Sequence, residues 1–88
     1  MIKRTEREGP SGAIKETSVL ELGSEAALIF LGLEITGNFK PITVTKTKIV
    51  MESVLEDCMY STYATYEGKG AEMAKLVKKV RIANAILA

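Results

Sequence analysis

The chain has no histidine and no tryptophan, one cysteine and two prolines among its 88 residues. Without histidine, the commonest general base and the commonest transition-metal ligand are both missing. A single thiol, Cys58, excludes an intrachain disulfide framework, and its apolar setting is one where thiols are inert. No phosphate-binding P-loop, dinucleotide fingerprint or nucleophile elbow occurs. Neither sign of charge dominates: 12 basic and 11 acidic residues leave +1, too little for a global pull toward DNA or a membrane surface. The longest apolar run, Ala26 to Leu33, contains Gly32 and ends at Glu34, well short of the about 20 residues a bilayer requires. The first twelve residues alternate charges and lack the apolar stretch of a signal peptide. These absences lead us to expect a cytoplasmic, non-catalytic protein with no metal, no cofactor, no membrane and no DNA partner.

What is present is apolar for so short a chain. Hydrophobic residues make up 47% of it, and a small domain with more apolar surface than one thin core can hide tends to associate. Residues 1–16 read as a flexible leader, with Gly9, Pro10 and Gly12 as breakers, and residues 17–88 as a single helical-hairpin domain. From Thr17 to Gly37 two readings stand. Ser24 followed by EAALIFLGLEI suits a short helix over about 25–36 with Ser24 as N-cap, and the same stretch with VLEL before it suits a β-hairpin. Asn38 to Thr45 looks extended, because Pro41 disfavours helix at Lys40 and Ile42 to Thr45 are all β-branched. A long helix is then expected from Lys46 to Tyr66, capped by Thr45, with Val50, Met51, Val54, Leu55, Cys58 and Met59 on its apolar arc. After the turn EGKG, a last helix runs from Ala71 to Leu87. The expected fold is mainly α: a leader and a short element, then a long antiparallel helical hairpin.

In the last helix Met73, Leu76, Val77, Val80, Ala83, Asn84 and Leu87 share one stripe, and Ile82 and Ile86 fall nearly opposite, among lysines. That second patch is covered either by the N-terminal segment or by another subunit. Asn84 within the stripe either fixes register in an assembly or sits where water reaches it. Tyr60, Tyr63 and Tyr66 recur at spacing three and either roof the hairpin or meet an interface. The acids Glu52, Glu56 and Asp57 read as a solvated helix face. The segment NFKPITVTKTK combines Phe39, Lys40, Pro41, Thr45, Lys46 and Lys48 with no acid, just before an expected helix N-terminus. Such a terminus suits phosphate, and an aromatic beside it can stack on a base. The alternative is that Phe39 is a core residue, Thr45 only a cap and the lysines a solvated shoulder.

The ending K-L-x-x-x-V-x-x-A-N-A-x-L-A (Lys75, Leu76, Val80, Ala83, Asn84, Ala85, Leu87, Ala88) resembles the closing helix of the anti-CBASS sponges, small phage proteins sharing a helical hairpin with the anti-Thoeris sponges. Phe39 and Pro41 ahead of a long helix look like that family's aromatic-proline segment. Ile82 stands where the family often has an aromatic, and Lys40 where it usually has histidine. The resemblance implies a homo-oligomer, a hexamer in the family, that sequesters cyclic di- or oligonucleotide second messengers without cleaving them and so blocks host antiphage signalling in the infected cell. By transfer, Phe39 stacks on a base, while Lys46 or Lys48 with Thr45 holds phosphate. Tyr60, Tyr63, Ile82, Asn84 and Ile86 then belong to the interface. The contrasting expectation is a small helical inhibitor or assembly factor that docks on another protein through Ile82 and Ile86.

Overall fold

The computed structural model describes residues 1–8, 20–54 and 61–87. Its elements run β1 (Ile2–Glu8), β2 (Leu20–Leu22), α1 (Ser24–Thr36), β3 (Phe39–Val44), β4 (Lys48–Ser53), β5 (Thr62–Gly68) and α2 (Gly70–Leu87). The strands form one sheet in the order β2-β1-β5-β4-β3, with every neighbouring pair antiparallel. Alternate residues of each strand point to opposite faces, so Ile2, Ile49, Met51 and Tyr66 share one face. Ala27 and Leu31 of α1 and Met73, Leu76, Val77 and Val80 of α2 pack onto it as a single buried cluster. The reverse face carries cross-strand rows of Lys3, Glu67 and Lys48, and of Arg7, Tyr63 and Glu52.

The mainly helical fold expected from the sequence is therefore wrong, and so is the helical hairpin over residues 17–88. The stretch read as a helix from Lys46 to Tyr66 holds two strands, β4 and β5. Thr62, Tyr63, Thr65 and Tyr66 are β-branched or aromatic and fit a pleated, half-buried surface. In β4 the consecutive residues Ile49, Val50 and Met51 are all buried. Val50 is on the reverse face, between Thr43 and Thr65 of the flanking strands, and is only 7% exposed. A run buried on both faces has no period of two to read. Residues 2–8, read as leader, form β1, which pairs along its whole length with β5. The rest of that leader, and Cys58, Glu56 and Asp57, lie outside the described residues. Of the two readings of 17–37 the helix over 25–36 holds, β3 falls within the extended segment expected over 38–45, and the last helix stands as expected, although Gly23 rather than Ser24 is the N-cap of α1 and no side chain caps it.

Helix α1 is tied to the sheet by a buried ion pair. Arg4 of β1 and Glu34 of α1 are each 8% exposed, and the Arg4 Nε–H donates to Glu34 Oε1. The rings of Phe30 and Tyr66 each lie 5.9 Å from the Arg4 guanidinium carbon. The Tyr66 hydroxyl and Glu34 Oε2 have no hydrogen-bond partner. Burial pushes the Glu34 carboxyl above the usual carboxylate range, against the opposing pull of Arg4. Burial, then the Glu34 charge, pushes the Tyr66 hydroxyl up as well.

Removing one member of such a pair leaves the other charge buried alone, so Glu34→Ala should cost about 3–5 kcal/mol in urea unfolding. The joint change Arg4→Met with Glu34→Leu should recover most of that loss. A joint variant no more stable than Glu34→Ala would contradict this account of the pair. The pH dependence follows from the raised Glu34 value, because the folded chain holds that proton more tightly than the unfolded one. The group's contribution is complete below the ordinary glutamate value and is lost as pH rises through the raised one. Unfolding free energies of Glu34→Gln measured across that window should show a flatter slope than the native chain. Gly68 supplies a second check. A Cβ there would sit 2.9 Å from the Met1 carbonyl oxygen and 3.1 Å from Ile2 Cγ1. Gly68→Ala should therefore destabilise the domain by about 1–3 kcal/mol in the same assay.

Candidate functional site

A hollow of about 690 Å³ lies where the β3–β4 turn meets the outer side of α2. The turn is built by Thr45. Its N–H donates to the Lys48 carbonyl at 2.8 Å, and its hydroxyl oxygen accepts from the Lys48 N–H at 3.0 Å. This closes the hairpin and places Lys46 and Thr47 at its tip, where both are exposed. On the other wall, Gly70 opens α2 with a φ of +83°, a left-handed conformation that glycine adopts without strain. The spacing Ala74, Lys78, Ile82 and Ala85 then puts one ridge of the helix along the groove.

Four cations line this groove: Lys46, Lys69, Lys78 and Arg81. Among the described residues no carboxylate lines it. Its floor is apolar, formed by Val77, which is buried, and Ile82, which is 52% exposed, with small Ala74 and Ala85 keeping it open. A second hollow of about 520 Å³ adjoins it across Thr47 and Lys69 and reaches Lys3 and Glu67. This arrangement can hold an anion against an apolar surface. Among the described residues no group of three or more acidic, cysteine or histidine side chains is placed to hold a metal ion.

The structure divides the residues singled out in the sequence. Lys46 and Ile82 meet in the basic groove. Phe39, Lys40, Pro41 and Asn84 line a separate hollow of about 600 Å³ with Ile35, Asn38 and Val54. Asn84 is exposed, not part of the core stripe, because among the described side chains Val80 is the last buried one of α2 and Ala83 is only half-buried. Thr45 caps a hairpin turn, not a helix, since the chain continues from it into β4 and no helix N-terminus follows Lys46. Lys48 pairs with Glu67 at 3.5 Å on the reverse face. Tyr63 also belongs to that face, where its hydroxyl donates to Glu52 at 3.3 Å and its ring lies 5.2 Å from the Arg7 guanidinium carbon. Tyr66 is in the core, because residues three apart on a strand face opposite ways. Tyr60 and the side chain of Ile86 lie outside the described residues.

Three groove cations, Lys69, Lys78 and Arg81, were not among the candidate site residues. The crowding of Lys75, Lys78, Lys79 and Arg81 on the last helix was visible in the sequence. Nothing in it showed that the tip of a β-hairpin would face two of them. No protein family, curated protein or solved structure matches the chain. Among the described residues, no helix is long and apolar enough to cross a membrane.

The Thr45 bonds give the turn a simple check. Thr45→Ala should cost about 1 kcal/mol in urea unfolding, and Thr45→Ser should restore most of it.

Proposed function

We propose that this protein is a non-catalytic binding module for a phosphate-bearing nucleotide, held in the groove between the β3–β4 turn and α2. The observation that carries the reading is the set of four cations, Lys46, Lys69, Lys78 and Arg81, around an apolar floor, with no carboxylate among the described lining residues. Phosphate oxygens accept charge-assisted hydrogen bonds from such groups, while Val77 and Ile82 offer a surface for the flat face of a base. The volume of about 690 Å³ falls in the range of small-ligand sites. A cyclic dinucleotide is the leading ligand class, taken up and sequestered without turnover. With the helical hairpin overturned, this reading rests on the groove and not on likeness to the sponge fold.

Titration calorimetry with cyclic dinucleotides, linear dinucleotides and mononucleotides tests the proposal. At least one member should bind more tightly than about 10 μM, equivalent to roughly −7 kcal/mol. Lys78→Ala and Arg81→Ala should each weaken that binding by about 10- to 100-fold, as expected for loss of a charged hydrogen bond. A panel with no such binder would reject the reading. A second reading, a docking module for another protein, draws on the exposure of Ile82. It calls for no nucleotide-dependent rise in melting temperature.

A further inference from the structure

Helix α1 is the one element whose apolar residues run all the way round it. Ala27, Leu31 and Glu34 point into the core. At about 100° per residue, Ile29, Gly32, Leu33 and Thr36 fall on the opposite side, and Ile29 and Leu33 are each 64% exposed. Phe30 flanks them, held over the Arg4 guanidinium at 5.9 Å and 38% exposed. A helix apolar all round is a helix that is normally covered.

Three further observations say what covers it. The outer ridge carries one charge, the exposed Glu25 at its N-terminal end, and is uncharged from Ala26 to Gly37, because Glu34, the one ionisable residue in that stretch, is turned inward to Arg4. Thr36 turns its hydroxyl onto the Gly32 and Leu33 carbonyls, both at 3.0 Å, which satisfies that polar group within the helix. Among the described residues nothing packs against Gly32 closely enough to require its lack of a side chain. An added Cβ there would meet nothing within 4 Å, although mid-helix glycine is disfavoured against alanine. A glycine beside two large apolar side chains lets a second backbone approach closely.

We infer that the α1 outer face is a self-association surface, on which a second copy of this chain packs its own α1 about a two-fold axis. A two-fold contact brings each patch onto itself, so the patch must not repel its image. The α1 ridge meets that condition when the axis is perpendicular to the helix, because its one charge, Glu25, and the image of that charge then lie at opposite ends of the contact. The exposed side of α2, with Lys75, Lys78, Lys79 and Arg81, does not. The sheet edges are closed to pairing as well: β2 has three residues, and β3 carries Pro41 beside a register shift. The contact is distinct from the basic groove and does not depend on its ligand.

Light scattering and sedimentation of the full chain over a submillimolar concentration range test the inference. The native chain should reach twice its monomer mass. Ile29→Glu with Leu33→Glu should remain a monomer at every concentration, with an unchanged circular dichroism spectrum. Gly32→Leu is the sharper variant, because the space around Gly32 within the chain is open. It should weaken association at least tenfold while the melting temperature of the monomer holds or rises. A native chain that stays monomeric throughout, or a Gly32→Leu variant that dimerises as tightly as the native chain, would overturn the proposal.

Discussion

The seating of α1 on the sheet is set by one buried contact between unlike charges. Arg4 sits on β1 and Glu34 on α1, 30 residues apart in sequence, and both are withdrawn from water. Taking such ions out of water is costly unless each finds the other. The pair therefore permits a single placement of α1 on the sheet: the one that sets Ala27 and Leu31 over the core and Glu34 over Arg4. Phe30 and Tyr66 close around the guanidinium. Because Glu34 is drawn inward, the outer face of α1 is left with a single charge, Glu25 in its first turn. One ion pair thus both seats the helix and defines the surface that the helix presents.

The groove has a different origin. Its two walls are a hairpin turn and a helix far apart in sequence, and each is shaped locally. Thr45 closes the turn with its own backbone and hydroxyl. Gly70 starts α2 from a left-handed conformation. The core stripe of Met73, Leu76, Val77 and Val80 then fixes the rotation of α2 on the sheet. With that stripe inward, Lys78 and Arg81 face the turn, and Lys46 and Lys69 lie across from them. Packing decides the orientation, and the electrostatic character of the groove follows from it.

The helices were legible because their signals are local. Apolar spacing, the Gly37–Asn38 stop and the EGKG turn delimit α1 and α2, and Pro41 with the β-branched run after it marks β3. The strands β4 and β5 were misread for a physical reason. Val50, Val54 and Cys58 recur at intervals of four and imitate a helix, while Ile49 to Met51 is buried on both faces and shows no alternation. The charge-alternating segment at 2–8 resembled a solvated leader. Its Lys3 and Arg7 face solvent, whereas Ile2 and Arg4 are buried. Of the expected ligand residues, only Lys46 joins the basic groove, and Phe39, Lys40 and Pro41 gather elsewhere.

By itself the sequence determined the last helix, the extended segment that became β3, the lack of histidine and a surplus of apolar residues, and it narrowed α1 to a helix or a hairpin, because composition and local periodicity carry those properties. The tertiary structure decided where that surplus lies. Ile82 was expected to lie under the N-terminal segment or another subunit, yet it floors a groove rimmed by lysine and arginine, and the broader bare face belongs to α1. It also decided that Arg4 and Glu34 meet, that Tyr63 and Tyr66 part to opposite faces, and that four cations from three segments converge. Each of these depends on pairing between residues distant in the chain, and register across a sheet is not encoded in the spacing of any one strand.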